Sequence, residues 1–182
     1  MAADLTDREP WSAPARWGEI ASGRSPFRLS APAEALPRIA RRLDLEALAS
    51  LEADLVIRSW FDGVDIRGRV QALCTRLCGI TLTPFEERVD DEMHIRIVPP
   101  SSPHAPGLTE LEVVIDLEAE DPPDVLRGDT VDLGALVVEH LALALDPFPR
   151  LPGARFQPEA ADPGALSPFA RLRALRLGPG DD

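Results

Sequence analysis

Alternation of apolar and polar residues runs through the middle of the chain and predicts half-buried β-strands. The alternation is clear in four segments, residues 51–58, 64–72, 85–97 and 111–117. Ile80 and Leu82 predict a further short strand, and Pro84 predicts a bend or a sheet edge after it. Asp62-Gly63 joins the first two segments and is a strong hairpin signal. We therefore expect an antiparallel meander with one face against the core and the other in solvent.

Helical spacing replaces this alternation on the N-terminal side of the strands. Leu36 and Ile39 lie at helical intervals within residues 31–43, where Pro37 implies a late start or a kink. These residues predict an N-terminal helix. Before it, the stretch PWSAPARWGEI at residues 10–20 predicts an edge strand that opens the domain.

A second helix is predicted over residues 132–145, where only Gly134, Glu139 and His140 interrupt the apolar residues after Asp132. A helix that is apolar on nearly all sides is expected to be largely buried. The strands and the two helices together predict an α+β fold. In it, an antiparallel meander sheet of four to six strands packs against the N-terminal helix and this buried C-terminal helix.

Polar residues and prolines mark the ends of the second helix. Asp129 or Thr130 is expected to cap its start, and Asp132 lies in the first turn, where the helix dipole favours an acid. Asp146-Pro147 ends the helix because the residue before a proline is pushed out of the α region. Pro149 then keeps the exit extended.

The length of 182 residues predicts one domain with tails. We expect the α+β domain over residues 1–150, with a loose polar N-terminus at residues 1–9. Residues 151–182 predict a linker rich in Pro, Gly and Ala that carries a short amphipathic helix. The apolar residues of this helix are Phe169, Leu172 and Leu175. The helix either projects from the domain to bind a partner or folds back to cap the sheet.

Charge narrows the choice of partner. The chain has 31 acidic and 19 basic residues, and its net charge is −12. Every one of the basic residues is arginine. From Glu86 to Asp146, sixteen acidic residues stand against three arginines, so one segment carries the whole excess. Such a surface favours a basic protein as the partner and disfavours direct contact with RNA. The expected partner-binding residues are Glu86, Asp90, Asp91, Glu92, Glu118, Glu120, Asp121, Phe169, Leu172 and Leu175.

The alternative is direct RNA binding through arginines outside this segment, which would make the affinity depend steeply on salt. The arginines in question are Arg38, Arg41 and Arg42 on the first helix and Arg171, Arg173 and Arg176 near the C-terminus. No run approaches the about 20 apolar residues that cross a bilayer. Because the N-terminus also lacks a signal-peptide pattern, we expect a cytoplasmic protein without a membrane partner.

Candidate chemistry is sparse. Cys74 and Cys78 are separated by three residues instead of the two that are usual in zinc sites, and two further ligands would be needed. We therefore expect reduced thiols and no metal or other cofactor, with zinc at these cysteines as the alternative. Nucleotide-binding, hydrolase and metalloprotease motifs are absent from the sequence. Neighbours such as Asp90-Asp91 and Glu139-His140 point in different directions on a strand or helix. The sequence does not favour an enzyme.

Three segments in order, CGITLTPFEERVDDE (78–92), TVDLGALVVEHLALALDPFPRLPGARF (130–156) and SPFARLRAL (167–175), resemble the YceD-like family, the large ribosomal RNA subunit accumulation proteins of bacteria and plastids. The positions that match are Cys78, Leu82, Pro84, Asp132, Leu133, Glu139, Pro147, Pro149 and Arg150. The spacing of the cysteine pair is one residue longer here than in many relatives. The resemblance implies a role in the accumulation of large-subunit ribosomal RNA and transfers no catalytic residue. With it, the basic partner is expected to be a ribosomal protein or an RNA-processing factor, and RNA contact is expected to be indirect.

Overall fold

The structure is a computed structural model, and it describes residues 9–22, 26–106 and 121–156. Along the chain, the elements are β1 (Pro14–Arg16), α1 (Trp17–Ala21), β2 (Phe27–Ser30), α2 (Leu36–Arg42), β3 (Ala47–Trp60), β4 (Gly63–Leu77), β5 (Pro84–Val98), β6 (Asp124–Val125), β7 (Thr130–Asp132) and α3 (Leu133–Ala144). The predicted strand at residues 111–117 and the predicted C-terminal helix lie outside the described residues.

A five-stranded sheet in the order β2-β3-β4-β5-β6 forms the centre of the fold. The pairs β2-β3, β3-β4 and β4-β5 are antiparallel, whereas β6 pairs in parallel with the last two residues of β5. A separate two-stranded sheet joins β1 to β7. The helices pack on the central strands, since α2 and α1 contact β3 while α3 contacts β4 and β5. The predicted α+β meander is confirmed.

The predicted alternation places the core on one face of the sheet. Leu55, Ile66 and Met93, one from each long strand, are almost completely buried on this face. Ile39 of α2 and Leu141 of α3 are fully buried against it. Burying side chains of this size stabilises the fold by about 1.5–3 kcal/mol each. The sheet face opposite the core carries the charged positions of the strands.

The β3–β4 hairpin forms as predicted, but one residue earlier than the Asp-Gly signal implies. Trp60 pairs with Gly63, so the two-residue loop is Phe61-Asp62 and Gly63 already belongs to β4. A Cβ on Gly63 would lie 2.3 Å from the carbonyl oxygen of Ile97. Close packing against β5 therefore requires this glycine, and the loop position with positive φ (51°) falls to Phe61.

The prediction of a short strand at Ile80 and Leu82 is wrong. Residues 78–83 form a turn between β4 and β5, in which the Leu82 N–H donates to the Cys78 carbonyl at 2.8 Å. Leu82 has a positive φ of 55° and an exposed side chain, so two alternating apolar residues did not define a strand here. Pro84 is the first residue of β5, a position where a strand tolerates proline although proline has no N–H to donate.

The edge strand predicted at residues 10–20 is only partly correct. β1 covers three of these residues, and the chain then enters α1 at Trp17. The strand β2 was not predicted, because four residues with two apolar positions give too short a pattern. The late start of the first helix is confirmed, with Pro37 in its first turn.

α3 begins at a different residue from the one predicted. Asp132 itself is the N-cap, and its carboxylate accepts from the Ala135 N–H at 3.1 Å. The same carboxylate accepts from the Ala13 N–H and the Ser12 hydroxyl, so it also holds β1 against the helix start. The helix was predicted to be largely buried, but it is buried on one side only, and Leu143 on the other side is 81% exposed. Among the described residues, no helix is long and apolar enough to cross a membrane.

Candidate interaction surfaces

The long strands β3, β4 and β5 have two ends that differ in charge. The hairpin end comprises the β3–β4 hairpin with the polar sheet face beside it, including Trp60, Phe61 and Asp65. The turn end comprises the β4–β5 turn at residues 78–83, the end of β4 and the exit of α3. Each end is built around one buried charged side chain.

Asp65 is the buried charge of the hairpin end. Its carboxylate accepts from Arg67 Nε at 2.8 Å and lies 2.6 Å from His94 Nε2 and 3.5 Å from Arg96 Nε. The side chain is 11% exposed, because these long neighbours on β4 and β5 cover it. Burial raises the pKa of Asp65, but the hydrogen bonds from His94 and Arg67 outweigh burial and hold the pKa below its ordinary value. One carboxylate is thus surrounded by basic groups.

Three aromatic rings lie together at the hairpin end. Phe61 stacks on His104 with ring centroids 4.3 Å apart, and Trp60 meets Phe61 edge-on at 4.9 Å. The guanidinium of Arg96 lies 5.0 Å from the centre of the Trp60 ring, a cation–π distance. Phe61 nevertheless leaves 72% of its surface in solvent.

The loop after β5 fixes the position of His104. The Ser102 hydroxyl donates to the Asp62 carboxylate at 2.8 Å, and the same hydroxyl oxygen accepts from the His104 N–H at 3.0 Å. Ser102 is buried although it lies in a loop rich in Ser and Pro. The loop after β5 is therefore hydrogen-bonded to the hairpin over residues 102–104.

Arg76 is the buried charge of the turn end. Its side chain is 10% exposed and donates to the Glu87 carboxylate at 2.8 Å. It also donates to the Asp146 carbonyl at the exit of α3. One guanidinium therefore joins β4, β5 and the end of α3, and its charge is compensated by Glu87.

A cleft of about 430 Å³ opens beside Arg76. Three acidic residues line it, Asp44 and Glu46 after α2 and Asp146 at the exit of α3. Its apolar lining comes from Leu43, Leu77, Ala142, Leu145, Pro147 and Pro149. Here a single buried cation is surrounded by acids, the reverse of the hairpin end.

Hydrogen bonds hold the exit of α3 against the β4–β5 turn. The Gly79 N–H donates to the Pro149 carbonyl at 2.8 Å, and the Asp146 side chain accepts from the Phe148 N–H at 2.8 Å. The Cys78 sulfur accepts hydrogen bonds from the Thr81 hydroxyl and from the Leu151 N–H. These donors lower the pKa of Cys78 to about 6.

Cys74 has a different environment from Cys78. Burial raises the pKa of Cys74, and its thiol lies 3.6 Å from the Glu87 carbonyl oxygen. Both thiols are free and buried. In residues 9–22, 26–106 and 121–156, no group of three or more His, Cys, Asp or Glu side chains is placed to hold a metal ion.

The predicted acidic partner-binding residues of β5 do not form one surface. Asp90 and Glu92 lie on the polar sheet face, where Arg69 approaches them at 3.3 Å and 3.8 Å. Asp91 points to the opposite side and lies 3.0 Å from His140 of α3. Adjacent acids therefore do point to opposite faces.

Other predicted site residues are spread over the fold. Glu86 is exposed opposite Thr75, the neighbour of Arg76, and Asp121 is exposed before β6. Glu118, Glu120, Phe169, Leu172, Leu175 and the arginines at 171, 173 and 176 lie outside the described residues. Arg38, Arg41 and Arg42 of α2 are exposed.

The positions that carry the family resemblance include structural residues of the turn end and of α3. Cys78, Pro149 and Asp132 make the hydrogen bonds described above. Leu133 is buried, whereas Glu139 is exposed. Leu82, Pro84, Pro147 and Arg150 are also exposed.

The chain matches no family model, no curated protein and no solved structure. The structure contains three surfaces that were not predicted from the sequence, namely the Asp65 network, the aromatic group and the cleft beside Arg76. Of these, only the aromatic group had a signal in the sequence, since Trp60 and Phe61 precede the Asp-Gly pair. The other two depend on contacts between segments that are far apart in the chain.

Proposed function

We propose that this chain is a non-catalytic ribosome biogenesis factor that binds a basic protein and promotes the accumulation or processing of large-subunit ribosomal RNA. The observation that carries the proposal is the acidic cleft at the turn end. The role in ribosomal RNA rests on the family resemblance of residues 78–92 and 130–156, two segments that meet at this cleft.

The charges of the cleft suit a lysine or arginine side chain of a partner. Asp44 and Glu46 are exposed and have no ion-pair partner among the described residues. Asp146 faces the same space, and Arg76 is already compensated by Glu87. A cation entering the cleft meets carboxylates whose charge is not neutralised, and charge-assisted hydrogen bonds to them are about twice as strong as neutral ones.

Apolar side chains extend the surface beyond the carboxylates. Leu143 is 81% exposed on the free side of α3, and Phe148 is 72% exposed just after Asp146. Leu77, at the end of β4, is 38% exposed and lines the cleft itself. Exposed aromatic and aliphatic anchors beside charged groups are typical of protein interfaces. The expected partner segment is therefore basic and also apolar.

The family-matching residues support the shape of the cleft. Pro147 and Pro149 line its wall, and the Pro149 carbonyl accepts from Gly79 in the turn that contains Cys78. The abrupt end of α3 thus returns the chain to the β4–β5 turn. This explains why an apolar helix is followed at once by two prolines.

The proposal is tested by neutralising the cleft without disturbing the backbone. Asp44 has a positive φ of 54°, a conformation that asparagine tolerates, so the variant is Asp44→Asn/Glu46→Gln. The matched control, Glu34→Gln/Glu52→Gln, changes two exposed acids elsewhere by the same charge. The tagged proteins are captured from their own cells after nuclease treatment. We expect basic ribosomal or processing proteins with the wild type and the control, and their loss with the cleft variant.

The role in ribosome assembly has its own readout. Depletion of the protein should lower the ratio of large- to small-subunit ribosomal RNA. The control variant should restore the ratio, and the cleft variant should not. An unchanged ratio after depletion would contradict the role in ribosomal RNA, whereas restoration by the cleft variant would contradict only the cleft.

A further inference from the structure

The hairpin end has the opposite charge balance from the cleft. Arg58 and Arg67 lie on the polar face of β3 and β4 near the hairpin, and both are exposed. Arg58 has no carboxylate partner among the described residues, since its register partner Asp65 is bound by Arg67 and His94. The side chain of Asp62 accepts from Ser102. Three arginines thus lie beside the two carboxylates of Asp65 and Asp62 at this end, which leaves a local excess of positive charge.

The aromatic group beside these arginines presents exposed ring surface. Phe61 and His104 are stacked at an interplanar angle of 25°, and both residues are exposed. Nucleic-acid bases stack on such rings, with a contribution that corresponds to about 5- to 150-fold in affinity per base. Phosphates between the bases need basic side chains at the same edge, and Arg58 and Arg67 supply them.

The backbone at Phe61 is strained for a residue of this kind. A φ of +51° suits glycine, asparagine or aspartate, and a bulky side chain there is an outlier. The strain does not serve the core, because the ring is 72% exposed. The hairpin turn requires the positive φ, but it does not require an aromatic side chain at this position.

We propose that the hairpin end binds single-stranded nucleic acid, with bases stacked on Phe61 and His104 and phosphates held by Arg58 and Arg67. The site is separate from the acidic cleft at the other end of the strands, and it does not depend on the protein partner proposed there. Duplexes are disfavoured, because their bases are paired and stacked and cannot lie on the rings.

The test is fluorescence anisotropy of the full chain with labelled oligouridylate of about 12 nucleotides, a length within the range covered by single-strand binding domains. The same sequence as DNA and a duplex RNA of equal length are measured in parallel. We expect both single strands to bind and the duplex to bind at least about tenfold more weakly. The affinity should fall with salt at a slope of about −1.4 to −2.1 in log–log form if two or three phosphates are neutralised.

Two variants locate the site. Phe61→Asn removes the ring and places a residue that tolerates positive φ, so the fold should keep or gain stability in urea. We expect about tenfold weaker binding, the loss of one stacking contact. Arg58→Gln should weaken binding and reduce the salt slope by about 0.7, the contribution of one phosphate.

Matched controls separate this site from the other candidates. Phe148→Ala removes an aromatic ring of equal exposure at the turn end, and Arg38→Gln removes an arginine of α2. Both should bind within about twofold of the wild type. A larger effect of Arg38→Gln than of Arg58→Gln would place RNA binding on α2 and overturn the proposal.

Other results would also overturn the proposal. They are no binding of either single strand, equal binding of the duplex, or full affinity in the Phe61→Asn variant while it remains folded. A protein partner that is lost with Phe61→Asn in a chain that binds no single strand would assign the rings to protein recognition. Tighter binding of RNA than of DNA would identify RNA as the ligand, and equal binding would identify single strands of either sugar.

Discussion

The two ends of strands β3 to β5 have opposite arrangements of charge. At the hairpin end, the buried group is the carboxylate of Asp65, and Arg67, Arg96 and His94 gather around it. At the turn end, the buried group is the guanidinium of Arg76, which Glu87 neutralises in a cleft lined by further acids. The net charge of −12 therefore conceals a polarised domain.

This difference shows how a buried charge can organise the surface around it. A buried ion must be paired, and partners of the opposite sign are drawn to its neighbourhood. Where the partners outnumber the buried ion, the surface takes their sign. This is the basis for proposing an anionic ligand at the hairpin end and a cationic one at the turn end. Each of the following changes removes one part of this arrangement.

The largest expected effect is that of Arg76→Met, which keeps the apolar stem of the side chain and removes the charge. Glu87 and the Asp146 carbonyl then lose their donor at a largely buried site. We expect a loss of about 3 kcal/mol in the free energy of unfolding, measured in urea. The control Arg88→Met, an exposed arginine on β5 without a carboxylate partner in the described part of the chain, should change stability by less than about 0.5 kcal/mol. Equal losses would show that Arg76 does not organise the turn end.

A smaller loss is expected from Asp65→Asn. Arg67 and His94 are partly exposed and can turn toward water once the carboxylate is gone, so only part of the network stays unpaired. We expect a loss of about 2 kcal/mol in the free energy of unfolding. Asp54→Asn breaks the exposed ion pair with Arg28 and should have no measurable effect. If the two variants are equally stable, the buried carboxylate is not what holds the hairpin end together.

At pH 7 the smallest expected effect is that of one proton at the turn end, because this pH lies only about one unit above the lowered pKa of Cys78. The pKa of Cys78 is lowered to about 6 in the folded chain, whereas an unfolded cysteine titrates near about 8.5. The unfolded chain therefore holds one more proton between these values, and stability rises with pH across this window. The contribution is complete above the unfolded pKa and is lost as the pH falls through about 6.

Urea unfolding at several pH values measures this effect. Cys78→Ser should flatten the rise in stability between pH 6 and 8.5, on the scale set by the two pKa values of about 6 and about 8.5. Cys74→Ser should leave the rise in place, because burial raises the pKa of Cys74 and takes it out of this window. A rise that survives Cys78→Ser would assign the proton to another group.

Alternation predicted the long strands and their buried face because period-two patterning is a local property. The hairpin loop was misplaced by one residue, since the need for Gly63 comes from its contact with Ile97 on β5. Asp65 falls on the polar parity of β4 and would be expected in solvent, but the side chains of β5 cover it. Such burial depends on strand register, which no local pattern contains.

The candidate cleft was still harder to predict. It combines Asp44 and Glu46, which follow α2, with Asp146 at the exit of α3. Nothing in the spacing of these residues links them. The acidic segment at residues 86–146 contributes only one acid, Asp146, to the cleft, and the acids of β5 divide between two faces and partly pair with Arg69 and His140.

The capping carboxylate of Asp132 has a consequence for the order of folding. Its bonds to Ser12 and Ala13 span 120 and 119 residues, so β1 can join the domain only after the start of α3 has been made. Contacts of such long range slow folding, because the chain must lose loop entropy before it gains them. During synthesis, α2 can cover β3 early, but the core face of β4 and β5 waits for α3. Part of the sheet is therefore exposed to aggregation while residues 99–144 are being made.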